Sequence, residues 1–215
     1  MELWKRWVRT PFGTHRGFIR LCLAWFELAV GRLERFSNTD LACVKRLVFV
    51  CLGNVCRSAY AEAVVRRKGV QGLSFGLSAS TGMCANVDAI STAHTRGYDL
   101  GEHRSTDQSD FNIEEGDLLL VMEVRQARRI EPVARAAGAQ VVLLGLWATP
   151  RRPHIHDPAG LSLEYFNTCF RVVESAVDNL VAAWQRARPS WAARAGDSAE
   201  VTRSPSEPAG DYPSN

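Results

Sequence analysis

Cys51 and Arg57 face each other across five residues in the stretch VFVCLGNVCRSAYAE, positions 48–62. A cysteine thiolate is a strong nucleophile. An arginine guanidinium is a planar fork that binds two oxygens of an oxyanion at once. Between them Gly53 permits a tight backbone, and Asn54 tolerates a left-handed or self-bonded turn. Ser58 can donate a hydrogen bond to sulfur. If the backbone N–H groups of this segment point inward at the start of a helix, they stabilise a thiolate at Cys51 and cradle an anion above it. That chemistry is attack by sulfur on an electrophilic centre held as an oxyanion. A Cys-x5-Arg pair alone is weak, since a chain with six cysteines and many arginines supplies such pairs by chance. The plain alternative is a small buried cysteine at a strand end.

Position gives the pair its weight. RLVFVC (46–51) predicts a buried strand, rich in β-branched and aromatic residues, and SAYAEAVVRRKG (58–69) a helix stopped by Gly69. The loop therefore joins a strand end to a helix start. Beyond it, LSFGLSAS (73–80) reads as a strand, VDAISTAHTRGY (87–98) as a helix, and DLLLVM (117–122) as a strand. VRQARRIEPVARAAG (124–138) reads as a helix that Pro132 kinks or splits, QVVLLG (140–145) as a strand, and residues 162–188 as a long closing helix. Strictly alternating strands and helices imply a parallel sheet covered on both faces by right-handed crossovers, with ligands at the carboxyl ends of the strands.

The stretch 50–62 resembles the signature of the low-molecular-weight protein tyrosine phosphatases of bacterial type, V-C-x-G-N-x-C-R-S-P-x-A-E, with only the proline replaced, by Ala59. SAST (78–81), DLLLVME (117–123) and HDPAG (156–160) resemble further segments of that family, so the likeness runs from about 46 to 186. It implies a three-layer α/β/α fold with a four-stranded parallel sheet of order 2-1-3-4, phosphotyrosine phosphatase I-like. It implies a cysteine-dependent phosphomonoester hydrolase in which Cys51 forms a phosphocysteine. Arg57 and the loop N–H groups of Leu52, Gly53, Asn54, Val55, Cys56 and Ser58 would hold the phosphoryl oxygens. Asp157 would protonate the leaving oxygen and then activate water, a role that suits an alkoxide or phenolate leaving group. Pro158 would fix the loop carrying it. Cys56 would be a redox partner that captures oxidised Cys51 as a disulfide. No metal or cofactor enters this chemistry. The implied partner is a phosphotyrosine protein, such as a bacterial tyrosine kinase of polysaccharide export.

The pattern departs from the family at the rim. Ala159 and Gly160 follow Asp157-Pro158 where an aromatic usually flanks the substrate ring, and GMCANV after SAST offers Met83 instead of an aromatic. Val55 stands where related arginine-phosphate phosphatases carry Thr, which favours the tyrosine type. His154, His156, Arg151 and Arg152 are expected to add positive character near the mouth. Two other functions compete. An arsenate reductase on this fold needs a further cysteine pair well downstream, but Cys84 comes too early and Cys169 too late. A non-catalytic phosphate- or partner-binding module would keep the loop without turnover.

The flanks are different in kind. Residues 1–45 form a basic amphipathic extension: with Arg46 they carry nine Lys/Arg against four acids, about +5, whereas the whole chain of 215 residues is only +3. A helical wheel gathers Phe18, Leu21, Cys22, Trp25, Phe26, Leu28, Ala29 and Leu33 on one face. That face predicts packing on the chain's own domain or on a copy of itself, or seating at a membrane surface through residues 15–36. Arg20, Glu27 and Arg32 interrupt the run, which is then neither a membrane span nor an ordinary signal core. The domain proper is read as 46–188, and 189–215, rich in Ser, Pro, Gly and Ala, as a disordered tail. A +3 charge demands no nucleic-acid partner, the composition (46% hydrophobic, 23% charged) is that of an ordinary globular protein, and cysteines without zinc or disulfide spacing suit a reducing, cytoplasmic setting.

Overall fold

A computed structural model of the protein describes residues 11–187; the tail expected to be disordered lies outside them. Strands β1 (Arg46–Cys51), β2 (Gly72–Gly76), β3 (Asp117–Val121) and β4 (Gln140–Leu143) form one parallel sheet in the order β2-β1-β3-β4. The expected order 2-1-3-4 is thus the observed one. Among the described residues, helices α1 (His15–Ala29), α2 (Arg57–Arg67), α3 (Val87–Thr95), α4 (Val124–Ala136) and α5 (Leu163–Ala187) surround it.

Side-chain alternation divides the core in two. Odd positions of β1, Leu47, Phe49 and Cys51, share a cluster with Leu118, Leu120, Tyr60 and Phe170, beneath α2, α3 and α5. Even positions, Val48 and Val50, share another with Leu119, Val121, Ile130 and Ala134, beneath α4. All of β1 beyond Arg46 is buried, as a central parallel strand must be. Parity therefore sends the Cys51 side chain to the α2–α5 side, where Tyr60 of α2 stacks on Phe170 of α5 with ring centroids 3.7 Å apart.

Two elements differ from the sequence reading. The second strand ends at Gly76, earlier than the expected 80, because the chain leaves the sheet to cross the end of β1: Leu77 and Ser78 donate backbone bonds to the carbonyls of Cys51 and Leu52. α4 runs unbroken through Pro132. The carbonyl that loses its partner there belongs to Arg128, and both residues are exposed, so water replaces the lost bond.

The amino-terminal extension is joined to the domain at two levels. Leu33 and Phe36, just after α1, are fully buried beside Val48 and Val141. α1 itself begins at the cap Thr14, whose Oγ1 accepts from Gly17 N at 3.0 Å, and stops before Gly31, at φ 77°. Its contact with the domain is made by small residues, Gly17 and Ala24. A Cβ at Gly17 would come within 2.8 Å of the His156 ring, so nothing larger fits. Leu28 and Leu33 of the expected apolar face do pack on the chain's own domain, but Phe18, Ile19, Leu23, Trp25, Phe26 and Val30 point away from it, and that packing does not account for them.

Candidate active site

The loop 52–56 closes between the end of β1 and the first turn of α2, with Cys56 as the residue before the helix. Asn54 lies at its centre with φ 53°, the only non-glycine residue of positive φ among the described residues. Its side chain pins the loop on three sides. Oδ1 accepts from Thr106 N at 2.8 Å, and Nδ2 donates to Ser58 Oγ at 2.9 Å and to Ser74 Oγ at 2.8 Å. The backbone N of Asn54 points at Cys51 Sγ, 3.3 Å away.

These bonds assign protons. Ser58 Oγ accepts from Asn54 and lies 3.0 Å from Cys51 Sγ, so its own proton is free for the sulfur. Ser74 accepts from Asn54 and donates to Glu62 Oε2 at 2.5 Å. His103 Nε2 is 2.7 Å from the Asn54 carbonyl, which can only accept, so that nitrogen carries the proton while Nδ1 faces Glu62 Oε2 at 4.0 Å. Two donors therefore converge on Cys51 Sγ, and the buried Asn54, Ser58 and Ser74, backed by the half-buried Glu62 and His103, hold them there.

Arg57 is buried to 1% exposure at the start of α2 and reaches under the neighbouring loop. Nη1 donates to Glu123 Oε1 at 2.8 Å and to the Ile155 carbonyl at 2.9 Å; Nη2 meets Asp157 Oδ2 at 2.9 Å. Its Nε is buried without a hydrogen-bond partner, a donor with unused capacity. Burial would raise the Glu123 carboxyl, but the charge of Arg57 and the hydrogen bonds from Arg125 and Arg57 overcome it and hold the group down at about 2. Glu123 is thus an anion under all ordinary conditions and fixes the guanidinium from behind.

Asp157 is a third exposed in its side chain, at the edge of the same space. Its loop is anchored just past the end of β3 by Ile155 N to the Met122 carbonyl at 2.9 Å and tightened after Pro158 by Leu161 N to the Pro158 carbonyl at 2.9 Å. α1 reinforces it from outside: Thr14 Oγ1 lies 3.0 Å from His156 Nε2, and Arg20 Nη1 lies 3.8 Å from Glu123 Oε2. At the rim, Leu52 and Met83 are exposed, and Asn86 N ties the Met83 segment to the Val55 carbonyl at 2.9 Å.

The residues read from the sequence as a site thus come together: Cys51, Ser58 and Asn54 in one bonded group, Arg57 bridging to Asp157. Cys56 is buried with a free thiol, and burial, reinforced by the charge of Asp157, pushes that thiol up. The histidines depart from expectation. His154 is 4% exposed, and burial holds it neutral with its pKa down at about 4; the half-buried His156 is lowered for the same reason. Arg152 turns to the Pro11 carbonyl and the Phe12 ring. None of these three supplies the expected positive rim. Ser74 and His103 have no role in the sequence reading, and Glu123 stands in it only as the acid that closes the family-like segment DLLLVME. Glu123 had a legible signal, an acid at the end of a strand, whereas Ser74 and His103 are brought in only by the tertiary fold.

Comparison with known proteins agrees with this geometry. The family model for low molecular weight phosphotyrosine protein phosphatase matches residues 46–190. EpsP of Ralstonia nicotianae, described as a probable low molecular weight protein-tyrosine-phosphatase, is 31% identical over 63% of this chain and 92% of its own length. The low molecular weight protein-tyrosine-phosphatase Wzb of Salmonella typhi is 32% identical over 60% of this chain and 87% of its own. Among solved structures, the tyrosine phosphatase Wzb of Escherichia coli K30 in complex with sulphate superposes with a TM-score of 0.56 at 27% identity, covering 65% of this chain and 98% of that one. The YwlE arginine phosphatase of Geobacillus stearothermophilus does so with a TM-score of 0.56 at 27% identity, covering 66% and 93%. A loop with a thiol under two converging donors, a buried arginine and an aspartate within its reach, on this sheet order and with this sequence match, places the chain in the low molecular weight phosphotyrosine protein phosphatase family, whose members are cysteine-based phosphatases.

Proposed function

We propose that the protein hydrolyses phosphotyrosine in proteins through a phosphocysteine at Cys51. The observation that carries the reading is Arg57, which joins the nucleophile's loop to Asp157 while keeping a buried Nε donor unused. A phosphoryl group seated over Cys51 takes two of its oxygens to Nε and Nη2 and the rest to the N–H groups of residues 52–58. Taking Nη2 releases Asp157 from its ion pair; its carboxylate takes up the proton that Cys51 gives up as the thiolate forms, and the resulting acid turns to the leaving oxygen. Sulfur forms its bond to phosphorus as the tyrosyl oxygen departs with the proton from Asp157. The same carboxylate then takes a proton from water, whose oxygen attacks phosphorus and frees the thiolate. Ser58 and Asn54 stabilise the sulfur in both steps.

The experiment is turnover of an aryl phosphate and of phosphotyrosine, phosphoserine and phosphoarginine peptides side by side. Cys51→Ser should abolish it, and Asp157→Ala should lower kcat by about 10²- to 10⁴-fold with a smaller effect on KM. Activity retained in Cys51→Ser would sink the mechanism. Preference for phosphoarginine would move the substrate to the type named for YwlE; Val55 supports tyrosine. The partner on this reading is a phosphotyrosine protein such as a tyrosine kinase of polysaccharide export, in the cytoplasm, where the free thiols of Cys51 and Cys56 persist. Cys56 protects the enzyme: when an oxidant has converted Cys51 to the sulfenic acid, the Cys56 sulfur displaces hydroxide, which leaves as water, and a reducible disulfide forms. Cys56→Ser should then lose activity irreversibly after peroxide, where the parent recovers with dithiol.

A further inference from the structure

Helix α1 turns Leu28 and its small and ion-paired residues to the protein and six bulky apolar residues outward. Phe18, Ile19, Leu23, Trp25, Phe26 and Val30 cover one continuous arc, with exposures from 40% at Phe18 to 61% at Phe26. The inward side holds Gly17, Ala24, Leu28 and the ion-paired Arg20 and Glu27, the latter 2.9 Å from Arg128. A surface helix ordinarily has the reverse polarity. The arc amounts to roughly 500–600 Å² of apolar surface, at the upper limit for a patch without a partner.

Charge and shape identify what covers it. Arg16 lies on one edge of the arc and Arg32 just past its end, both exposed. On the other edge the Phe18 ring meets Phe12 with centroids 5.0 Å apart, and Phe12 lines a cleft of about 560 Å³ that also holds Arg151 and Arg171. Trp4, Lys5, Arg6, Trp7 and Arg9 precede in the sequence. An apolar arc rich in aromatics and bordered by arginines is the pattern of a helix lying in the headgroup boundary of an anionic bilayer. A second copy fits worse. The arc falls short of the roughly 800 Å² per partner of a stable interface, and an antiparallel pair sets Arg16 of one copy towards Arg32 of the other.

We propose that α1 seats the protein on anionic membranes, its apolar arc entering the acyl boundary and the arginines around it meeting phosphate headgroups. The seating is independent of the chemistry at Cys51. Flotation of the full chain with vesicles tests it, using phosphatidylcholine alone and phosphatidylcholine with about a third phosphatidylglycerol. The parent should float with the anionic vesicles and far less with the neutral ones. Ile19→Glu/Phe26→Glu should lose at least about tenfold in binding, while its unchanged turnover of an aryl phosphate shows that it is folded. Arg16→Gln/Arg32→Gln, which leaves the arc intact, should weaken binding to anionic vesicles only. Absence of flotation, equal flotation with both vesicle types, or undiminished flotation of the Ile19→Glu/Phe26→Glu variant would overturn the proposal. So would a parent that sediments as a dimer and does not float while that variant is monomeric, which would assign the arc to self-association.

Discussion

Asn54 holds the nucleophile's loop in a backbone conformation that most side chains avoid, and its side chain bonds Ser58, Ser74 and the backbone N of Thr106. Asn54→Ala leaves Thr106 N and the Ser74 hydroxyl short of a partner and keeps the unfavourable φ. It should cost about 2–3 kcal/mol in urea unfolding and lower kcat more than KM, because Ser58 is then free to turn from the sulfur. Ser58→Ala removes one donor to sulfur without the backbone penalty. It should slow both phosphocysteine formation and its hydrolysis with a smaller change in stability, which single-turnover and steady-state rates separate. At this scale the sequence was most legible where residues are neighbours: Cys51, Gly53, Asn54, Arg57 and Ser58 lie within one strand–loop–helix junction. Asp157 was read only through resemblance, since an Asp before Pro is otherwise a turn. Ser74 and His103 were illegible, because 20 and 49 residues separate them from the Asn54 atoms they bind. The histidines near Asp157 misled because exposure, and hence charge, is a property of packing.

The acid loop and helix α1 form one mechanical unit. Thr14 both caps α1 and reaches His156, the residue before Asp157. Thr14→Val should therefore destabilise the protein by about 1 kcal/mol through the lost cap and also lower kcat about three- to tenfold through a looser Asp157. Thr14→Ser should restore both. A fall in Tm with kcat unchanged would reduce Thr14 to a cap alone. The alternation of strands and helices, and hence a parallel sheet, was legible from β-branched runs and glycine stops, because both patterns report burial directly. Where β2 ends was not, since Leu77 stays buried after leaving the sheet and its apolar character looks the same to the eye. The direction of α1 was also not legible. A wheel shows that a helix has two faces, and only the space available at Gly17 decides which of them turns inward.

The place where the two loops meet makes the stability of the whole molecule sensitive to acid. His154 is held at about 4, and His156 moves in the same direction, while an unfolded chain binds these protons near 6.5. The unfolded state thus binds more protons below pH 6.5. Stability is complete above that pH, falls as pH drops towards 4, and loses about 3 kcal/mol from His154 alone. Glu123, at about 2 when folded, adds its own loss between pH 4.5 and 2. Urea unfolding at pH 7.5 and 4.5 should show the first loss, and His154→Met should flatten it. The inverted polarity of α1 has a further effect on how substrates are met. The helix is held to His156 by Thr14 and to Glu123 by Arg20, so a chain lying on a bilayer through its outer face carries Cys51 at a set height and tilt above the lipid. Its search is then a two-dimensional one, and the phosphotyrosines within range are those whose linkers bring them down to that plane.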